Sequence, residues 1–215
     1  MKKIISLILI IASLLLLVSC GQKNRKYNEE EVKAAAIPLI RKSAELNDIF
    51  WGKGIPYFED PSFRVGNFYP ADPSFVRELG IEKTEDLIKL ASKVFSQDYV
   101  EFIKNSVLSS KVGNNGMDGY ARYYDEPDIM LMVDTKYEPI LVDEVEYLYD
   151  SIEVIGSEGE TVKIKITINV TRGEASQTRE LTVSLVEEEE GWRLNSNTYA
   201  NFRPGEPCKQ KVTKS

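Results

Sequence analysis

The sequence contains no histidine among its 215 residues. This absence excludes Ser-His-Asp and Cys-His catalytic machinery, in which an imidazole serves as the base. It also excludes the common catalytic zinc sites, because they use imidazole ligands. Acid–base chemistry would have to depend on Asp, Glu, Lys or Tyr side chains with displaced pKa values. We therefore predict that the protein is not an enzyme.

Nucleotide and metal motifs are also missing from the sequence. It has no P-loop, no Rossmann glycine fingerprint, no G-x-S-x-G elbow and no calcium loop. It shows no internal repeat that would indicate a solenoid or a propeller. We predict no cofactor and no metal site.

Cysteine is scarce, with Cys20 and Cys208 as the only two. Cys208 lies in a tail rich in Pro and Lys, and its thiol has no partner within the chain if Cys20 is modified. We predict a free, exposed thiol at Cys208, and pairing between two molecules is the alternative.

The N-terminus has the layout of a secretory signal. Lys2 and Lys3 precede an aliphatic run of 15 residues, from Ile4 to Val18, whereas a membrane-spanning helix needs about 20. The run ends in Leu17-Val18-Ser19-Cys20-Gly21, which resembles the lipobox of bacterial lipoproteins. The resemblance implies cleavage before Cys20 and transfer of diacylglycerol to its thiol. The alternative is an uncleaved anchor helix with an incidental cysteine.

A lipobox implies a location on the outer face of the cell membrane. One acyl chain holds a protein to a bilayer only marginally, whereas two or more, as on a lipoprotein cysteine, hold it stably. We predict a signal peptide over residues 1–19, a tether over 20–27, one domain over 28–202 and a flexible tail over 203–215.

The chain is acidic, with a formal charge of -7. Removal of residues 1–19 takes away two lysines and no acid, which leaves 25 basic and 34 acidic residues and a charge of -9. Such a surface repels phosphate backbones, so we predict no nucleic-acid partner. The predicted acidic band comprises Glu138, Asp143, Glu144, Glu146 and Glu187 to Glu190. We interpret it as solvated surface, and the alternative is a docking face for a basic partner.

Helical periodicity dominates the first half of the domain. Asn28 is a predicted N-cap for a helix that runs to about Phe50, in which Pro38 indicates a kink or a late start. The segment 51–73 is predicted to be an ordered loop, because its six aromatic residues carry too much apolar area to remain in water. A short helical turn is predicted after Asp72, and Thr84 is the predicted cap of the next helix. A further helix is predicted after Ser96, with Tyr99, Phe102, Ile103 and Val107 facing inward.

Strand periodicity follows the glycine-rich break at 113–116. The period of two is clearest from Val162 to Val170, where aliphatic and polar residues alternate along the chain. Other predicted strands cover 120–124, 129–133, 147–155, 181–185 and 192–194. Helices followed by an antiparallel meander predict an α+β fold, with the N-terminal helices packed on one curved sheet of four to six strands. Ile164 and Trp192 are predicted core residues.

The order of these elements, together with Gly191-Trp192-Arg193-Leu194 after an acidic turn, resembles the NTF2-like (cystatin-like) domains of many bacterial lipoproteins. The resemblance covers about residues 28–202. It implies a cone-shaped sheet that could enclose a ligand, although enzymes of this family generally use a His or an Asp in the pocket.

A narrower resemblance is to the IseA-type inhibitors of cell-wall DL-endopeptidases. It depends on Ile49-Phe50-Trp51-Gly52-Lys53-Gly54-Ile55-Pro56, Val94-Phe95-Ser96-Gln97-Asp98-Tyr99, and Trp192-Arg193-Leu194 with Thr198-Tyr199. It implies a non-catalytic protein that blocks hydrolases of the peptidoglycan stem, without assigning any binding residue.

A set of aromatic residues is the predicted binding site, because aromatics near glycines can line a pocket or anchor an interface. It consists of Trp51, Tyr57, Phe58, Tyr120, Tyr123 and Tyr124. Ordinary packing is the alternative and is favoured for Trp51, whereas the tyrosines are expected to be partly exposed.

Three functions remain open at this point. The first is a non-catalytic cell-surface binding module that inhibits peptidoglycan DL-endopeptidases. The second is a carrier of a small molecule in the mouth of the cone. The third is a histidine-free enzyme, which would need a buried carboxyl group of raised pKa beside a pocket.

Overall fold

A computed structural model describes residues 27–108, 111–112, 118–119, 121–127, 130–201 and 203. The predicted signal peptide and most of the tether and tail, with Cys20, Tyr120 and Cys208, lie outside the described residues. Within the described ranges, no helix combines the length and the apolar character needed to cross a membrane.

The helices all precede the long strands. They are α1 (Glu29–Trp51), α2 (Pro73–Leu79), α3 (Thr84–Ser92) and α4 (Gln97–Ile103), which continues into a π-helical turn, Lys104–Leu108. The strands are β1 (Phe68–Pro70), β2 (Lys111–Val112), β3 (Asp118–Gly119), β4 (Tyr123–Glu126), β5 (Met130–Asp134), β6 (Glu144–Glu158), β7 (Thr161–Arg172), β8 (Ala175–Glu188) and β9 (Gly191–Leu194). The predicted α+β class is confirmed.

Helix α1 is the central helix, and its ends follow capping chemistry. The Asn28 side chain accepts a hydrogen bond from the backbone N–H of Glu30 at 3.0 Å, and three glutamates occupy the first turn, where the helix dipole favours them. The helix continues through Pro38 and ends at Gly52. Its 23 residues correspond to a length of about 34 Å.

Strands β6 to β9 form an antiparallel meander in sequence order, as predicted. In β7, Val162, Ile164, Ile166, Ile168 and Val170 are at most 2% exposed and alternate with more exposed polar residues. A bulge in β6 shifts the register between Leu148 and Glu153, and the Ser151 hydroxyl fills it by accepting the N–H of Thr167 at 2.8 Å. Such a bulge bends the strand.

The prediction of one sheet is wrong, because β4 and β5 belong to a separate sheet of order β1-β5-β4. Strand β1 lies in the segment predicted to be a loop, and Phe68 pairs with Asp134. Such a pairing joins residues far apart in sequence, so no local pattern indicates it. The backbone of β2 and β3 forms a further antiparallel pair.

The inner face of the meander is covered by the protein's own chain. Helix α1 packs against β6 and β9, and the segment 195–201 bonds to both α1 and β6 through Thr198. Thr198 is buried in this segment, where its hydroxyl shares a 2.6 Å hydrogen bond with Ser43 and accepts one from the Asn47 amide at 2.9 Å. The Tyr147 hydroxyl donates to the Thr198 carbonyl at 2.8 Å. The two segments therefore occupy the face that a ligand-binding cone would leave open.

Three local predictions need correction. Lys83, not Thr84, is the N-cap of α3, because the Asp86 carboxylate reaches back to the Lys83 N–H and Thr84 bonds Asp125 instead. Phe102 is 52% exposed rather than inward-facing. Trp192 is half-buried at the edge of the core, whereas Ile164 is fully buried as predicted.

Candidate functional site

The loop after α1 exposes a cluster of large apolar side chains. Tyr57, Phe58, Phe63 and Val65 are each 38–49% exposed within nine positions of sequence. Single exposed apolar residues are ordinary, whereas four on one short loop make this loop the candidate interaction surface. We call these four side chains the aromatic surface.

Hydrogen bonds hold the backbone beneath the aromatic surface. The Phe58 N–H donates to the Pro70 carbonyl at 2.8 Å, and Val65 and Phe68 exchange backbone hydrogen bonds of 3.0 and 2.9 Å. Asp60 caps the turn Pro61–Phe63 by accepting the Ser62 N–H at 2.9 Å. Because this backbone is already ordered, little conformational entropy is lost when a partner binds.

Ring contacts orient the side chains around the aromatic surface. Tyr57 stacks on Tyr69 with ring centroids 5.8 Å apart, and the Arg64 guanidinium lies 5.6 Å from the centre of the Tyr69 ring. Phe68 meets Tyr124 edge to face at 4.7 Å. Partial burial, followed by the nearby Glu59 carboxylate, raises the pKa of Tyr57. Its hydroxyl group therefore stays neutral near pH 7.

Tyr124 lies at the margin of this surface. Its hydroxyl donates to the Glu126 carboxylate at 2.7 Å. Burial, and then this hydrogen bond to a carboxylate, raises the pKa of Tyr124 to about 12. Tyr124 therefore presents a neutral ring edge.

Two buried polar residues fasten the base of the loop to the end of α1. The Tyr123 hydroxyl donates to the Ile49 carbonyl at 2.6 Å and accepts the Ile55 N–H at 3.0 Å, and burial raises its pKa to about 12. The Arg122 guanidinium donates to the carbonyls of Phe50 at 2.9 Å and Gly52 at 2.7 Å.

The environment of Arg122 explains how the core accommodates a cation. The guanidinium lies 4.3 Å from the centre of the Tyr137 ring and binds carbonyls at the C-terminus of α1, where the helix dipole is negative. The contacts of Arg122 and Tyr123 make α1 and the start of the loop one rigid unit.

The predicted aromatic set is divided by the structure. Tyr57 and Phe58 are exposed, and Tyr124 is half-buried. Trp51 is 3% exposed and Tyr123 is fully buried, so Trp51 packs as expected and the expectation of partial exposure is wrong for Tyr123. Trp51 packs against Phe102 of α4, Tyr123 bonds the end of α1 to Ile55, and Tyr120 lies outside the described residues.

Sequence reasoning did not single out Phe63 and Val65. The sequence does indicate that both residues lie in an ordered loop, because the segment 51–73 contains glycines, prolines and aromatic residues. Residue type alone does not show which apolar side chains of such a loop turn outward. The pairing of Val65 with Phe68 decides it, because it folds the loop back on β1.

The predicted acidic band is not one surface. Glu144 pairs with Thr171 at one end of the meander, whereas Glu187 pairs with Trp192 at the other end. Ser176 of β8 pairs with Thr171, and Glu187 lies eleven positions further along the same strand. This separation corresponds to about 36 Å. A single partner could not use both groups through one small patch.

Asp143 also departs from its predicted role as solvated surface. Its carboxylate is fully buried and receives two hydrogen bonds from Arg172, at 2.6 Å from Nε and 2.9 Å from Nη2. Burial of a carboxylate requires such compensation. The pair ties the start of β6 to the end of β7.

The described residues contain no group of three or more Asp, Glu or Cys side chains that could hold a metal ion. Asp60, Asp72, Asp86 and Glu158 all have lowered pKa values, because each carboxylate accepts hydrogen bonds from neighbouring donors. Three of these carboxylates bind backbone N–H groups at turns or helix starts. Their contacts are those of structural caps.

No protein-family model matches the chain, and a search of curated proteins finds no significant match. Function is therefore inferred from the residues and their arrangement.

Proposed function

We propose that this protein is a lipid-anchored binding module on the outer face of the cytoplasmic membrane, and that the aromatic surface docks a protein partner. The exposure of four large apolar side chains on a hydrogen-bonded loop carries the proposal. Exposed apolar side chains held on an ordered loop are typical of a docking surface.

The position of the aromatic surface along α1 supports this function. The proposed lipid attachment at Cys20 precedes the helix, whereas the aromatic surface follows its C-terminus. The 23 residues of α1 form a rigid element about 34 Å long. Such an element between the proposed anchor and the aromatic surface along the chain suits a module that is held at the membrane and meets partners in the cell wall.

The chemistry of the surface suits a protein partner. Aromatic rings are enriched among the residues that dominate interface energies, because each buries a large area at a small cost in rotamer entropy. Glu59 and Asp60 lie between Phe58 and Phe63 on the loop. An apolar patch with adjacent carboxylates suits a partner whose apolar cleft is bordered by basic residues.

The specific partner that we propose is a peptidoglycan DL-endopeptidase. The segment from Ile49 to Pro56, which resembles IseA-type inhibitors, is the one that Arg122 and Tyr123 fasten beneath the aromatic surface. We further propose that the fold is a variant of the NTF2-like domain, with a helix across a long antiparallel meander as the supporting feature.

The carrier alternative is weakened by the packing of the meander. A ligand in the mouth of a cone would need an open inner face, but α1 and the segment 195–201 occupy it. A non-catalytic binding module needs no such cavity.

Inhibition of a purified DL-endopeptidase by the soluble 21–215 fragment tests the proposal. We expect the combined substitution Phe58→Ala and Phe63→Ala to weaken inhibition by at least tenfold, since two central aromatic anchors are each worth more than about 1 kcal/mol. The matched control is Ile155→Ala, which removes a side chain of the same exposure, 48%, on β6.

Two results would count against the proposal. If the unaltered fragment neither binds nor inhibits the hydrolase, this partner is wrong. If the double variant inhibits as well as the control variant does, the aromatic surface is not the docking site.

A further inference from the structure

A groove of about 850 Å³ lies between α2, the segment 80–83 and the β4–β5 hairpin. This volume falls within the range of small-ligand sites. Its floor is apolar, since Ala71, Ile81 and Leu131 line it and each is 1% exposed. The Ala71 N–H donates to the Leu131 carbonyl at 2.9 Å, so the floor is part of a fixed backbone frame.

The two walls of the groove carry opposite net charge. Arg77, Glu82 and Lys83 line the helix side, and Asp125 and Glu126 line the hairpin side. The structure shows no hydrogen bond or ion pair from the side chains of Arg77 and Lys83 to any other described residue. Both cations are therefore available to a ligand.

The two carboxylates of the hairpin wall are held in place. Asp125 accepts hydrogen bonds from the Thr84 N–H at 2.8 Å and the Thr84 hydroxyl at 2.7 Å. Glu126 accepts one from the Tyr124 hydroxyl at 2.7 Å. Neighbouring residues of a strand point to opposite faces of the sheet, and Asp125 is the one bonded to Thr84, next to Lys83 of the groove. A carboxylate has about four acceptor positions, so Asp125 retains capacity for an ammonium group.

We propose that this groove binds a short peptide with a free amino group and a free carboxylate. The carboxylate pairs with Arg77 and Lys83, the ammonium group with Asp125, and an apolar side chain lies on the floor. A fatty acid would leave the carboxylates of the hairpin wall facing an uncharged chain. A hydrated inorganic ion would gain nothing from the apolar floor.

This site is separate from the aromatic surface and does not depend on the proposed function. Tyr57, Phe58, Phe63 and Val65 do not line the groove. The two sites can therefore be tested independently with variants of each.

Titration of the full chain in lipid nanodiscs with alanyl-leucyl-alanine tests the inference by calorimetry. We expect the C-terminal amide and the N-acetyl form of this tripeptide each to bind at least tenfold more weakly, because each modification removes one charge that the groove pairs. Equal affinity for all three forms would overturn the proposal. Binding of decanoate at least as tight as that of the tripeptide would also overturn it.

Substitution of the cations locates the peptide's carboxylate. In the double variant Arg77→Gln with Lys83→Gln, we expect the free acid and the amide to bind with equal affinity. The control is Lys93→Gln, an exposed lysine outside the groove. A double variant that still prefers the free acid would overturn the assignment. The variant with Phe58→Ala and Phe63→Ala should retain tripeptide binding, which separates this site from hydrolase docking.

Discussion

Two buried polar side chains determine the path of the chain between the end of α1 and the aromatic surface. The carbonyls of the last helical turn have no partner within the helix and must be satisfied by other donors. Here Tyr123 and Arg122 supply those donors from the following sheet. Both residues are buried for this reason, although their side chains are polar.

We predict that Tyr123→Phe lowers the free energy of unfolding by about 1–3 kcal/mol, because the Ile49 carbonyl and the Ile55 N–H lose their buried partner. Urea denaturation at pH 7 measures the loss. Tyr124→Phe, which removes one hydrogen bond at the margin of the surface, should cost less. An equal loss in both variants would contradict the role of the Tyr123 hydroxyl.

The pH dependence of Tyr123 provides a second prediction. Burial raises its pKa from 10 to about 12, so the folded state keeps a proton that the unfolded chain loses above pH 10. Stability is therefore complete below pH 10 and falls as the pH rises toward 12. We expect Tyr123→Phe to flatten this decline in urea denaturation between pH 9 and about 11. Tyr124 and Tyr147, whose pKa values are also raised to about 12, should leave part of the decline.

Gly54→Ala should destabilise the protein more than Gly66→Ala. Both glycines have positive φ, which costs a non-glycine residue about 1–2 kcal/mol. A Cβ at Gly54 would also lie 2.1 Å from Nη2 of the buried Arg122, whereas a Cβ at Gly66 meets no atom within 4 Å. Thermal unfolding followed by circular dichroism measures the difference. Equal melting temperatures would show that the Arg122 side chain moves away from the new Cβ with no loss of stability.

Among the secondary-structure elements, the helix starts follow local rules. Asn28, Asp72 and Ser96 all accept N–H groups at the first turns, as their residue types predict. Thr84 does not, because the Asp86 side chain already takes the Lys83 N–H and Asp125 competes for the Thr84 hydroxyl. The exception arises from a contact with β4, which is distant in sequence.

We predict that Asp72→Ala destabilises the protein at pH 7 and that the difference shrinks in acid. The Ser74 hydroxyl, followed by the N–H groups of Phe75 and Ser74, lowers the Asp72 pKa from 3.8. A lowered pKa adds stability above the usual value and loses it as the pH falls through the folded value. Thermal unfolding at pH 7 and near pH 2 tests this, with Glu78→Ala in the same helix as the control. A constant difference between the two pH values would contradict it.

The segment 195–201 is an irregular element that the buried Thr198 hydroxyl joins to α1. We predict that Thr198→Val lowers the free energy of unfolding by about 1–3 kcal/mol, because Ser43 and Asn47 lose a buried partner. Amide hydrogen exchange should increase across 195–201. Thr182→Val on the exposed face of β8 is the control, and unchanged exchange in Thr198→Val would contradict this role.

For the whole molecule, the proposed attachment to the membrane depends on the thiol of Cys20. We predict that cells grown with labelled palmitate yield a labelled protein, and that Cys20→Ser abolishes the label, because no other residue of the proposed lipobox carries a thiol. Cys208→Ser should remain labelled and serves as the control. An unlabelled natural protein would remove the proposed location and the partner inferred from it.

The sequence was sufficient where structure depends on local chemistry. The alternation in β7, the capped start of α1 and the α+β class all follow from the spacing of apolar residues and from nearby hydrogen-bond donors. The lipobox-like segment can likewise be recognised from its residue types, and lipidation of Cys20 stays a prediction.

Only the tertiary structure decided which distant segments meet. It paired Phe68 with Asp134 in a second sheet, placed the segment 195–201 against α1, and separated the two acidic groups along β8. Trp51 and Phe58 are both aromatic residues beside glycine or proline turns, yet one is buried and the other is exposed. The difference depends on long-range packing, because the exposure of a side chain is a property of the surface that surrounds it.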